Sequence, residues 1–312
     1  MKIALICPFY FNYHNVIKSE LIEQGHDVIL FNEIPNPNIF KIIKNISSEI
    51  GDCWVRNYYT NIGKAIVDKK VDKIILIRGH VTPVLFIKTM NEHGIKTVMY
   101  QWDSLRNNSY AHLIPYCERV FTFDRQDSKD LEICYLPLFY SNIPDDNIDS
   151  KVDVLFVGSL HGRRLEVFKD LSSSNTELSF KVHFYISFLA FVKSKLLGRV
   201  KAKTTEVSFS KLPYSDYLSL LSVSKSVLDM PSQSQDGASI RVIEALANHR
   251  KVITTDKGIV NDEFFSDKNI LVLGESENAN IKSFIESEYD KSFDFTPYSI
   301  KNWVNTVVNY GK

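Results

Sequence analysis

The chain has 312 residues, about two domains' worth at roughly 150 residues each. Its 44% hydrophobic and 24% charged content is that of a folded globular protein, with 37 basic residues balancing 37 acidic ones. A zero net charge removes the basic excess that a nucleic-acid binder needs, and no stretch reaches the roughly 18 apolar residues of a membrane-spanning helix. The four cysteines (Cys7, Cys53, Cys117 and Cys134) have neither C-x-x-C spacing nor a neighbouring histidine cluster. That disfavours zinc and fits buried thiols at Cys7 and Cys134 in a reducing compartment, so a cytoplasmic location is expected.

From the N-terminus, MKIALICPFY reads as a first buried strand, Lys2–Cys7, stopped by Pro8, and not as an export signal. Further strands are expected at Asp27–Phe31, Lys73–Ile77, Lys96–Gln101 and Arg119–Phe123. Between them, Tyr13–Gln24, Trp54–Lys69 and Val84–His93 carry apolar residues at helical spacing. Gly25 and Gly94 stand where helix C-caps favour glycine. The polar stretch Ser141–Lys151 reads as a seam between domains 1–145 and 146–312. Beyond it, strands are expected at Val152–Val157, Lys181–Tyr185, Glu206–Phe209, Ser226–Asp229, Lys251–Thr254 and Ile270–Leu273. Helices are expected at Arg163–Leu171, Tyr214–Ser224, Ser239–Asn248, Ala279–Glu288 and Ser299–Val308, the last free to pack back on the first domain. Continuous apolar strands alternating with helices specify an α/β protein with two Rossmann-like, doubly wound domains facing a cleft.

Ligands of such sheets bind beyond the carboxyl ends of the strands, which directs attention to the loops there. After Ser226–Asp229 comes Gln235-Asp236-Gly237-Ala238-Ser239, leading into a helix with Arg241 and Glu244. Gly237 permits a tight turn, Ser239 suits an N-cap, and a helix start favours an anion. The alternative is an ordinary capped helix with Arg241 and Glu244 as an exposed pair. After Val152–Val157 comes Gly158-Ser159-Leu160-His161-Gly162-Arg163-Arg164. Arginines opening a helix oppose its dipole, so either an anion is expected there or a surface pairing with Glu166 or Asp170.

In the first half, Trp102-Asp103 follows a strand. Asp103 suits a general base or a helix cap, and Trp102 a sugar platform or the core. His80, in Arg78-Gly79-His80, is a second candidate base. The aromatic loop Cys7–His14, with Tyr10, suits an acceptor platform or plain packing, and it lacks the G-x-G-x-x-G of a dinucleotide site. Phe123-Asp124-Arg125-Gln126-Asp127 reads as turn and cap chemistry.

The stretch DGASIRVIEALANHRKVITTD resembles the donor-binding segment of GT-B glycosyltransferases: an acidic residue, seven residues, then Glu-Ala, a short helix and a strand. It is most similar to that of bacterial lipopolysaccharide and exopolysaccharide glycosyltransferases, with Asp236 where Glu is usual. The resemblance implies transfer from a nucleoside diphosphate sugar to a saccharide or lipid-linked saccharide in cell-surface polysaccharide synthesis. It implies a donor set of Gly158, His161, Arg163, Arg164, Asp236, Gly237, Ser239, Arg241 and Glu244, with Glu244 on ribose, Asp236 on the sugar and the arginines on diphosphate. It also implies catalysis by Asp103 or His80 if the configuration inverts, and acceptor contacts at Tyr10 and Trp102. No metal and no cofactor are expected, since two cations can take a metal's place. Two rivals remain, a nucleotide-sugar epimerase on the same fold and a non-catalytic binding protein. Finally, residues 182–203 join the apolar run VHFYISFLAFV to Lys193, Lys195, Arg199, Lys201 and Lys203. This suits either a buried strand and helix or peripheral attachment to the anionic inner face of a membrane.

Overall fold

A computed structural model describes residues 1–9, 11–141, 151–198, 200–231, 235–274 and 280–310. The chain divides into two compact units. The first comprises Met1–Phe139, Gln233–Ala238 and Thr296–Lys312, and the second Tyr140–Ser232 and Ser239–Phe295. The second unit thus begins at Tyr140, ahead of the expected boundary at 145/146. The C-terminal segment groups with the first unit. Residues 142–150, where most of the expected seam falls, lie outside the described residues.

In the first unit, the strands β1 (Lys2–Cys7), β2 (Asp27–Asn32), β3 (Lys73–Ile77), β4 (Lys96–Gln101), β5 (Arg119–Thr122) and β6 (Cys134–Tyr135) form one parallel sheet, ordered β2-β1-β3-β4-β5-β6. Its helices are α1 (Tyr13–Glu23), α2 (Pro37–Ile46), α3 (Ser48–Asp68), α4 (Val84–Glu92), α5 (Arg125–Asp130) and the C-terminal α11 (Ile300–Asn309). β1, β3 and β4 are buried along almost their whole length because helices cover both faces, so their sequences are apolar without alternation. Gly25 and Gly94 adopt the left-handed φ values of +82° and +74° that end α1 and α4. α11 is anchored by Trp303, whose ring meets Tyr100 of β4 edge-on at 4.7 Å.

Two elements here differ from expectation. α2 forms in a stretch for which no element was expected, because Asn36 accepts a hydrogen bond from Ile39 N and so caps it. Ser47 likewise caps α3, which therefore starts six residues before Trp54. Cys7 is buried as expected, but Cys134 on the edge strand β6 is only half-buried.

The second unit has the parallel sheet β11-β10-β9-β7-β8, built from β7 (Val152–Ser159), β8 (Phe180–Tyr185), β9 (Ser224–Asp229), β10 (Lys251–Thr254) and β11 (Ile270–Val272). Helices α6 (Arg164–Ser174), α7 (Phe188–Leu196), α8 (Tyr214–Ser222), α9 (Ile240–Ala247) and α10 (Ile281–Glu286) accompany it. Ala279, where α10 was expected to begin, is outside the described residues. The strand expected at Glu206–Phe209 does not form, and only an isolated bridge joins Ser208 to Tyr185. Local bonds win instead: the Glu206 carboxylate accepts from Lys203 N at 2.6 Å, and Ser208 Oγ bonds to the backbone of Ser210. The apolar run 182–192 is also not one element. It splits into β8 and α7 at Ser187, which caps the helix.

Candidate functional site

Each sheet has a place where the strand order reverses, and side chains at the carboxyl ends of the strands beside it are the natural ligand groups. In the second unit the reversal lies between β7 and β9. Gly158 is the next-to-last residue of β7, where a Cβ would press on the Phe156 ring and come within 3.6 Å of Arg164 Nη1. That free space lets Arg164 fold back under the loop. It donates from Nε to Met230 O at 2.7 Å and from Nη1 to Ser159 O at 2.9 Å. At the end of β9, the buried Asp229 accepts from Ser239 Oγ at 2.7 Å and from Arg241 Nη2 at 2.9 Å. His161 stands exposed on the loop after β7.

These side chains form an electropositive cluster. Burial and then the Arg241 charge pull the Arg164 pKa down to about 10, against an opposing pull from Asp229. His161 is likewise lowered, first by desolvation and then by Arg164 and Arg241. Arg164 and Arg241 stand close enough for the Arg241 charge to lower the Arg164 pKa, with Asp229 beside both, and an anion would relieve that repulsion.

Several expected donor residues are placed differently. Arg163 points to solvent with its side chain 81% exposed and pairs with Glu166; it is the surface arginine, and Arg164 the inward one. Ser239 stands at the N-cap of α9 but spends its hydroxyl on Asp229, not on the helix. Glu244 is wholly buried, and Tyr214 Oη donates to its Oε1 at 2.7 Å. Ser141 Oγ lies 2.9 Å from the same phenol. The expected ribose carboxylate is therefore enclosed, with Tyr214 of α8 hydrogen-bonded to it.

Asp236 and Gly237 belong to the first unit. Arg125 N donates to Asp236 O at 2.7 Å, Arg125 Nη1 pairs with its carboxylate at 3.2 Å, and Asp236 N donates to Asp124 at 3.0 Å. Gly237 lies so close to Phe123 that a Cβ would collide with the Phe123 carbonyl. These contacts seat the segment on the loop after β5 in its own unit, so Asp236 has an ion-pair role that the motif did not reveal.

In the first unit the order reverses between β1 and β3. The buried Glu33, just past β2, takes Nε and Nη2 of Arg78 at 2.8 and 2.5 Å and the backbone N–H of His80. Arg78 and Gly79 both have left-handed φ, +74° and +69°. Arg78 O is held by Gln101 Nε2 at 2.6 Å and Asn108 Nδ2 at 3.3 Å. His80 is exposed, and its Nδ1 lies 2.5 Å from Asn108 Oδ1. Asp103, past β4 with its side chain 35% exposed, has Arg78 Nη1 at 4.0 Å. Burial pushes its pKa up, and Arg78 and His80 pull it back.

His80 and Asp103 thus meet at one end of the sheet, each touching the Arg78 loop. Trp102 is half-buried beside them in sequence. Tyr10 lies outside the described residues; its neighbour Phe9 stacks on His14 at 4.2 Å. Asp124 caps α5 as expected, accepting from Asp127 N. Sequence reasoning missed Glu33 altogether. A lone acidic residue at the end of a strand belongs to no motif, and its only signal was a carboxylate in the Asn-Glu-Ile-Pro turn. Among the described residues, no group of three or more His, Cys, Asp or Glu side chains is placed to hold a metal ion.

Two Rossmann-like units with their polar loops at the switch points define the GT-B fold class. Solved structures agree at the level of fold. A lipopolysaccharide outer core galactosyltransferase, WaaB, in its apo form is similar with a TM-score of 0.54 at 16% identity, over 99% of both chains. The Methanocaldococcus jannaschii UDP-GlcNAc 2-epimerase, in complex with UDP-GlcNAc and UDP, is similar with a TM-score of 0.59 at 13% identity over the whole of both chains. AviGT4, a glycosyltransferase involved in avilamycin A biosynthesis, is similar with a TM-score of 0.51 at 13% identity, over 83% of this chain and 80% of its own. No protein-family model matches the chain, and no curated protein matches it in sequence.

Proposed function

We propose that this chain is a glycosyltransferase that moves a sugar from a nucleoside diphosphate sugar to a hydroxyl of a saccharide or lipid-linked saccharide in bacterial cell-surface polysaccharide synthesis. The observation that carries the reading is the cluster of Arg164, Arg241 and His161 at the β7/β9 switch point. There the charges of Arg241 and Arg164 lie close enough that Arg241 lowers the Arg164 pKa, even with Asp229 beside them. In the reaction, the acceptor oxygen bonds to the anomeric carbon as the bond from that carbon to the diphosphate breaks. The departing electron pair settles on a phosphate oxygen, where Arg164 and Arg241 stabilise it without a metal. If the configuration inverts, Asp103 or His80 takes the acceptor proton. Glu244 supports the site from behind by seating α9 on α8, and Asp236 acts within its own unit.

The test is binding, then turnover. Melting is followed with UDP, GDP, CMP, ADP and NAD on the wild type and on Arg164→Ala. A ligand at a hundredfold its Kd adds about 2.7 kcal/mol. A shift with one nucleotide that is lost in Arg164→Ala supports the donor site, and no shift with any sinks it. Incubating the matching nucleotide sugar without acceptor separates the rivals: an epimerised sugar nucleotide would replace this reading with the epimerase.

The partner surface is part of the proposal. No helix among the described residues is long and apolar enough to cross a membrane. α7, however, exposes Phe188 (60%), Leu189 (81%) and Leu196 (83%), with Lys193 and Lys195 in its last turn. Lys201 and Lys203 follow, and the structure does not describe Arg199. An apolar helix face with a lysine flank suits an anionic bilayer surface, where lipid-linked acceptors reside. Flotation with phosphatidylglycerol vesicles, lost in Leu189→Ser/Leu196→Ser, is the expected result. Equal flotation of both proteins rejects this surface.

A further inference from the structure

The loop after β3 makes two costly choices at once. It buries the Glu33 carboxylate completely, and it places Arg78, a residue with a Cβ, at φ +74°. Left-handed non-glycine residues persist only where their surroundings over-determine them, and they gather at functional sites. Here the surroundings do so. The Arg78 backbone is gripped by Tyr100 O, Gln101 Nε2 and Asn108 Nδ2, and its side chain by Glu33. Stability alone is a poor reason for such an arrangement, since apolar residues of similar size commonly replace a buried ion pair without loss. What the clamp achieves is placement: Arg78 Nη1 stands 4.0 Å from Asp103. Among the described residues, no other ion pair and no hydrogen bond reaches the Asp103 carboxylate.

We propose that Arg78, clamped by Glu33, is a positioning residue that holds the Asp103 carboxylate in place and charged. This rests on the reading of Asp103 as the group that receives the acceptor proton. The charged and titratable groups of the neighbourhood come from several elements. Arg78 and His80 follow β3, Glu33 follows β2 behind Arg78, Cys7 ends β1 near Glu33, and Tyr59 of α3 donates to Glu33 O. Of these, Arg78 and His80 act on Asp103 directly. Removing Arg78 takes away the cation nearest to a carboxylate that burial already disfavours.

The experiment is a carboxyl-carbon NMR titration of Asp103 in the full chain, which needs no substrate. It compares the wild type with Arg78→Met and with Glu33→Gln/Arg78→Met. The double variant leaves no unpaired buried charge and so guards against misfolding of the single one. The expected result is a midpoint raised by a unit or more, a tenfold gain in proton affinity, in whichever variants fold. A midpoint unchanged in the folded double variant overturns the proposal, because a purely structural Arg78 would change melting and leave the titration alone. With a donor and acceptor in hand, the acid limb of kcat should move up by the same amount while the donor KM stays constant. Absence of turnover in the wild type would instead count against the glycosyltransferase reading, with the titration still deciding the role of Arg78.

Discussion

Tyr214 and Glu244 form a buried hydrogen bond, phenol to carboxylate, at 2.7 Å between α8 and α9. The carboxylate has no exposed surface, and burial first, then the Glu244 charge, push the tyrosine pKa far above its ordinary range. The pair ties α9, which carries Arg241, to α8. Tyr214→Phe removes the donor and leaves the ring. We expect a loss of about 1–3 kcal/mol in denaturant unfolding, the usual result of leaving a buried charged group short of a partner. A variant as stable as wild type would mean that other contacts suffice for Glu244.

The two adjacent arginines should separate cleanly. Arg163 is 81% exposed and paired on the surface, so Arg163→Ala should leave nucleoside diphosphate affinity within about twofold. Arg164 is packed beneath the loop at the switch point, and Arg164→Ala should weaken binding tenfold to a hundredfold, as for a lost charge-assisted bond of about 1.5–3 kcal/mol. Calorimetric titration of both variants with the nucleotide that shifts melting measures this directly. The reverse ranking would reject the assigned cluster.

Asp153 in β7 gives a pH signature. Burial works against its charge, but Lys225 at 2.8 Å and the Ser179 N–H and Oγ at 2.8 and 2.9 Å outweigh burial and hold its pKa below the usual carboxylate value. A carboxylate lowered in the folded state contributes stability above its unfolded pKa of about 4 and loses it as pH falls through the folded pKa. The gap in stability between wild type and Asp153→Asn should therefore be constant above about pH 5 and narrow in more acidic solution. A gap that stays constant down to pH 2 would contradict this.

Gly237→Ala tests the packing of the 235–238 segment in the first unit. The new methyl would meet the Phe123 carbonyl with no flexible side chain to yield. Overpacking of this kind costs about 1–3 kcal/mol, and the Arg125–Asp236 pair should be disturbed with it. Unchanged melting would show that the backbone gives way at little cost.

The parts of the fold legible in the sequence were those fixed by continuous apolar runs. β1, β3, β4 and β10 fall where Lys2–Cys7, Lys73–Ile77, Lys96–Gln101 and Lys251–Thr254 place them. α2 was not among the expected elements; its Pro37 sits in the first turn, where proline is acceptable, and Asn36 supplies the cap. Glu206–Phe209 looked extended but lost its ladder to local serine and glutamate bonds. At the site, the loops were legible and the direction of individual side chains was not. Arg163 and Arg164 are consecutive, about 100° apart around a helix, and nothing local says which faces inward.

By itself, the sequence determined an α/β chain of two parallel sheets and the loops in which its polar groups lie, because strand and helix periodicities are local properties. Only the tertiary structure decided the rest. It enclosed Glu244 behind Tyr214, gave Asp236 and Gly237 to the first unit, and set Glu33 under Arg78. Burial and ion pairing depend on residues distant in sequence. Arg125 and Asp236 are 111 positions apart, and no window along the chain contains both.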